Sequence, residues 1–203
     1  MVSPLFSFLG ELVMNDLKSV VQKIETLKRS KKYAEALKTA RNAMTQFAGA
    51  RPISTQLAQI NEIYKQYQSA FNIYQTLNSA AKEQNKAVEF PVVMGLTRCL
   101  IKLENHKEAK KILENIASKL PKKNVEVLTG LATCARFRGE IQEAEKLILS
   151  ALDIDKNNID ALFEAAQIYL LMDKASDSLN ILEKNFNRSE PHGDSIDLWI
   201  STL

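Results

Sequence analysis

The chain has 203 residues, 45% of them apolar and 25% charged, a composition that supports a folded core and excludes a disordered segment. Its formal charge of +3 is too small to mark a protein that tracks phosphates, and only six Gly and five Pro interrupt it, which suits helices better than many short strands. Two cysteines, Cys99 and Cys134, are too few for a disulfide framework and lack the paired spacing of a zinc site; read as small buried apolar residues, they favour a reducing, cytoplasmic setting.

Residues 1–14, MVSPLFSFLGELVM, carry no Lys or Arg ahead of their hydrophobic run and include Glu11, which argues against a signal peptide. They read as a cap on the first helical hairpin, through Leu5, Phe6, Phe8, Leu9 and Leu12, or as a disordered leader. No uncharged run reaches the roughly 18 residues that span a bilayer, so no membrane role is expected. From residue 15 to 187 the pattern is helical. In residues 17–50 the basic cluster Lys28, Arg29, Lys31 and Lys32 falls at a helix end, where cations suit the carbonyl dipole. In residues 51–84, Ile60, Tyr64, Tyr67, Phe71 and Tyr74 alternate by four and three with no Gly or Pro among them. Residues 53–86 therefore fit either two helices in a hairpin or one long helix. The polar stretch Lys82 to Glu89, before Pro91, reads as a connecting loop ahead of residues 90–123.

Residues 125–158 give the clearest unit. Leu128, Leu131, Ala132 and Ala135 recur at helical spacing before Gly139, and Ala144, Leu147, Ile148 and Ala151 do so after it. A similar unit covers residues 159–187, and residues 188–203 read as a loop and a last helix around Ile196, Trp199 and Ile200, either a cap or the start of a longer architecture.

The units share one phase. A small residue early in each second helix, where two helices must approach closely, falls at Ala36, Ala70, Ala109, Ala144 and Ser178, in steps of 34, 39, 35 and 34. The small or apolar place on each first helix is Ile24, Ala58, Thr97, Ala132 and Ala166, and the second helices are expected to begin at Tyr33, Tyr67, His106, Ile141 and Ala175. Lys23 and Asn61 stand where an apolar residue is usual, so the first two units fit the pattern least well.

In the positions of Leu128, Leu131, Ala132, Gly139, Ala144, Ile148 and Ala151, the unit at 125–158 resembles the tetratricopeptide repeat. Its usual closing proline is Lys156, and its early aromatic is Leu128. The resemblance implies an all-α protein, a right-handed superhelical stack of about five helix-turn-helix hairpins. It also implies that the first helices line a concave groove. In the second half of the chain the residues of that groove are Met94, Arg98 and Lys102; Thr129, Thr133 and Arg136; and Phe163 and Gln167. Arg98, Lys102 and Arg136 beside Phe163 suit a peptide with acidic and apolar groups. Packing between repeats and solvation of the arginines is the competing account. Members that bind chaperone tails grip a terminal carboxylate with Lys and Asn on a first helix. The corresponding pairs here are Val21 and Glu25, Thr55 and Gln59, or Met94 and Arg98, so that clamp is not expected.

Catalysis has little to work with. His106 and His192 are far apart, and no nucleophile elbow, phosphate loop or zinc helix occurs. The triplet His192, Gly193 and Asp194 is similar to two ligands of a non-haem iron site, but no third ligand or barrel can follow it; it reads as a turn. No catalytic, cofactor or metal residue is assigned. The expected function is a scaffold or adaptor that binds a protein or peptide and no nucleic acid. Alternatives are the regulatory or targeting arm of a larger enzyme, or a self-assembling solenoid whose open apolar ends make homo-oligomers.

Overall fold

The computed structural model describes residues 4–185, with side chains from residue 14 onward. Among the described residues the chain is all-α, with ten helices and no strand. They are α1 (Pro4–Arg29), α2 (Tyr33–Gln46), α3 (Arg51–Ile63), α4 (Tyr67–Glu83), α5 (Phe90–Lys102), α6 (His106–Ala117), α7 (Val125–Phe137), α8 (Ile141–Ile154), α9 (Ile159–Leu171) and α10 (Ala175–Asn185). The second helices begin at the residues the repeat phase marks, Tyr33, Tyr67, His106, Ile141 and Ala175. Residues 53–86 are two helices. The apolar segment at the start is helical from Pro4 and runs unbroken into the rest of α1. The loop and helix expected over 188–203, with His192 and Asp194, lie outside the described residues.

One backbone device makes every hairpin turn. The second residue before each second helix adopts the left-handed conformation: Lys31, Lys65, Glu104, Gly139 and Asp173, with φ of 57, 57, 63, 77 and 58°. The amide after it donates back to the fifth residue upstream (Lys32 to Leu27, Gln66 to Asn61, Asn105 to Leu100, Glu140 to Ala135, Lys174 to Tyr169), at 2.8 to 3.0 Å. This closes the free carbonyls of a helix end in the way glycine usually permits. Only one of the five is glycine. A left-handed non-glycine residue costs about 1–2 kcal/mol, so the packing of the hairpins must offset that strain. Entry to α7 and α9 is also specified locally, because Asn124 and Asn158 accept the amides of Val127 and Ala161 at 3.1 and 3.0 Å.

Contacts divide the chain into two compact units, Met1–Cys99 and Leu100–Leu203, the division falling inside α5. In the first, α1 packs on α2, α2 on α3, α3 on α4, and α1 also on α3. Its core gathers Ile24, Ala36, Ala40, Ala43, Ile53 and Ile60, all buried. Burying each Ile contributes about 1.5–3 kcal/mol, and the alanines between them let helix axes close up. In the second unit α6 packs on α7, α7 on α8, α8 on α9, α9 on α10, and α7 also on α9. One core cluster there is Ala132, Ala135, Ala144, Ile148, Ala151, Ala161, Ala165 and Ile168. The small residue early in α10 is Ser178, fully buried, whose hydroxyl donates to the Ala166 carbonyl at 2.8 Å. A polar atom takes the alanine's place there because it finds an acceptor.

Candidate functional site

The expected groove residues sit on first helices, and each unit is described by itself. In the second unit α7 and α9 lie side by side. Thr129, Thr133 and Arg136 recur by four and three, so they share one face of α7, and Phe163 and Gln167 are one turn apart on α9. Thr129, Thr133, Phe163 and Gln167 are all half-buried. Thr133 donates its hydroxyl to the Thr129 carbonyl at 2.9 Å, while the Thr129 hydroxyl is itself buried with no hydrogen-bond partner among the described residues. Lys102, the last residue of α5, is exposed.

Arg136 is committed elsewhere. Its Nε and an Nη donate to the two carboxylate oxygens of Glu164 on α9 at 2.6 and 3.2 Å, and Glu164 is only 5% exposed. A charge this deep persists because two charge-assisted bonds replace its water. The guanidinium also lies 4.4 Å from the centroid of the Phe137 ring. The imidazole of His106 stacks on that ring at 4.1 Å and 8°. Burial, with a contribution from Arg136, holds the His106 imidazole below its ordinary pKa against the pull of Glu104.

The first unit repeats this arrangement with other chemistry. Met94 is 2% exposed, so its side chain packs inside and cannot serve as a groove contact. Arg98 donates to both oxygens of Glu62 on α3, at 2.8 and 3.0 Å. Glu62 also accepts the hydroxyl of Tyr74 at 2.6 Å, and burial together with that carboxylate drives the Tyr74 phenol far above its ordinary pKa. On the neighbouring pair, Lys28 of α1 donates to Gln56, at 2.8 Å, and to Gln59 of α3, and Gln56 donates in turn to Glu25 at 3.1 Å. Burial lowers the Lys28 pKa, opposed by Glu25 and Glu62. Within each unit the first helices described are thus stitched by polar side chains: α1 to α3, α3 to α5, and α7 to α9. The arginines expected to anchor a ligand, Arg98 and Arg136, are parts of that stitching.

Sequence reasoning did not single out Glu164 or the tie of Tyr74 to Glu62. The signal for Glu164 was present: it is a lone carboxylate in the apolar run ALFEAAQIYLL, and such a charge needs a partner. Burial raises both thiols, Cys99 to about 12 and Cys134 to about 11, so neither is an activated nucleophile. Among the described residues no three His, Cys, Asp or Glu side chains are gathered to hold a metal ion, and no helix is long and apolar enough to cross a membrane.

Known proteins share this fold. A thermophilic TPR protein of Thermus thermophilus superposes with a TM-score of 0.70 and 16% identity, over 91% of this chain and 96% of its own. A tetratricopeptide repeat protein from Parabacteroides merdae gives a TM-score of 0.66 and 19% identity, over 90% and 68%. YrrB, described as a TPR protein with an unusual peptide-binding site, gives 0.55 and 18%, over 91% and 88%. The family model of the coatomer epsilon subunit matches residues 104–195. No curated protein sequence matches significantly. Identities this low establish the fold, which is that of the tetratricopeptide repeat, all-α and built of stacked hairpins.

Proposed function

We propose that the chain is a non-catalytic interaction module, a scaffold or adaptor that holds a protein or peptide segment against its first helices. The observation that carries this reading is the pair α7 and α9. They lie side by side, are locked by Arg136 and Glu164, and leave Thr133, Phe163 and Gln167 half-exposed on their faces. A rigid backbone with accessible, mostly uncharged side chains spends little ordering entropy on binding. The peptide-binding site described for YrrB, a structural neighbour, supports the same use of the fold. A cytoplasmic location goes with this reading, since Cys99 and Cys134 are free and buried.

The match to the coatomer epsilon family over residues 104–195 favours a second form of the same reading, in which the partner is a permanent neighbour in a protein assembly. One experiment addresses both. A photo-crosslinking amino acid at position 133 or 167 should capture a defined protein in cells, whereas the same group at exposed Leu149 on α8 should not. Capture should vanish in Thr133→Arg and Gln167→Arg variants of unchanged helical content. Equal capture from position 149 rejects the groove.

A further inference from the structure

Two stretches of the chain are strongly basic, residues 28–41, with six Lys and Arg against Glu35, and residues 106–124. Residues 106–124, which form α6 and the loop to α7, hold six lysines against two glutamates, a net +4, in a chain whose total is +3; all other residues together carry −1. Lys110 reaches Glu114 and Glu140 at 3.9 and 3.7 Å. Lys107, Lys111, Lys119, Lys122 and Lys123 are exposed and pair with no carboxylate among the described residues. Unpaired cations gathered on one edge raise a local potential that attracts anionic partners.

The same edge has a depression of about 280 Å³ lined by Leu120, Pro121, Val127 and Leu128 together with Lys122 and Lys123. Its size suits an aliphatic side chain. A nucleic acid is disfavoured, because residues 107–124 contain no Arg to fork onto phosphates and no Phe, Tyr or Trp to stack on bases. An anionic membrane is disfavoured too, because none of the exposed large apolar residues lies in that stretch to insert among lipids.

We propose that this edge of the second unit is a second docking surface, for an acidic peptide segment that carries an aliphatic side chain. Carboxylates meet Lys119, Lys122 and Lys123, and the aliphatic group enters the depression beside Leu120 and Leu128. The surface draws on α6, the loop after it and the first turn of α7, and it uses none of Thr133, Phe163 and Gln167, so it is tested separately from the reading above.

The probe is a labelled peptide with one leucine flanked on both sides by glutamates, titrated against the full chain by fluorescence anisotropy. Binding should weaken with added salt. It should fall about ten-fold or more in the double variant K122E and K123E, whose positions are exposed and whose fold is checked by circular dichroism. It should persist in the Thr133→Arg and Gln167→Arg variants, so failure here and failure of the groove are told apart. Replacing the leucine of the probe by glycine should also weaken binding. The proposal is overturned if the charge-reversed protein binds the probe as well as the parent. It is equally overturned if the glycine peptide binds as well as the leucine one, or if a single-stranded oligonucleotide or a phosphatidylserine vesicle binds this edge more tightly.

Discussion

Arg136 on α7 grips Glu164 on α9 through two nitrogen–oxygen contacts of 2.6 and 3.2 Å, with the side chains only 13% and 7% exposed. Paired, the two charges roughly offset the cost of leaving water; separated, either one is stranded in the interior. Arg136→Ala should therefore cost about 3–5 kcal/mol, while Arg136→Met combined with Glu164→Leu should return most of that stability. Urea unfolding of the single and double variants measures both. A double variant less stable than Arg136→Ala would show that the pair does more than neutralise itself.

Tyr74 and Gly95 form a second lock, in the first unit. The Tyr74 ring is fully buried, and a β-carbon at position 95 would fall inside it. The ring cannot withdraw easily, because its hydroxyl is held by Glu62 at 2.6 Å. Gly95→Ala should cost about 1–3 kcal/mol through forced displacement of well-packed atoms. Tyr74→Leu alone should also destabilise, yet the two together should cost less than their sum, since the clash disappears with the ring. Strict additivity in thermal unfolding would mean that Tyr74 does not touch position 95.

These locks explain which features the residues announce and which they conceal. The start of every second helix was legible, because close helix packing demands a small residue in a fixed place, and Ala36, Ala70, Ala109, Ala144 and Ser178 kept one phase and are all fully buried. The repeat phase places the start of α4 at Tyr67 as well, but no turn residue marks the break before it, which leaves one long helix as the alternative. That break rests on Lys65 in the left-handed conformation, and nothing local in a lysine announces that. The residues expected to line a groove lie on first helices, but Met94 is turned inward, and Arg98 and Arg136 are engaged by Glu62 and Glu164. Their partners lie 36 residues upstream and 28 downstream, separations that only the stacking of hairpins brings together. Spacing within one helix carries no trace of such pairs.

The hairpin turns make a paired prediction of opposite sign. Gly139 has φ of 77° and Glu104 has φ of 63°, and no neighbour comes within 4 Å of a β-carbon built at Gly139. Backbone strain alone therefore decides the outcome there. Gly139→Ala should lower stability by about 1 kcal/mol, and Glu104→Gly should raise it by a similar or smaller amount, tempered by the greater entropy of glycine in the unfolded chain. Shifts of the same sign in the denaturant midpoints of the two variants would exclude the left-handed turns as the cause.

His106 gives the fold a dependence on pH. Its Nδ1 is buried without a hydrogen-bond partner among the described residues, its ring stacks on Phe137, and burial keeps its pKa below the ordinary 6.5, with Arg136 adding to the effect and Glu104 opposing it. The unfolded chain therefore binds this proton more readily than the folded one. Its contribution to stability is complete above the ordinary imidazole range and is lost as pH falls through that range toward the lowered folded value. Tyr33 and Tyr67 begin the equivalent helices, so His106→Tyr should keep an aromatic ring against Phe137 while removing the titrating group. Between about pH 7.5 and 5.5 the parent should lose more stability than the variant, judged by urea midpoints at each pH. Parallel losses in the two proteins would show that His106 is not the source of the acid sensitivity.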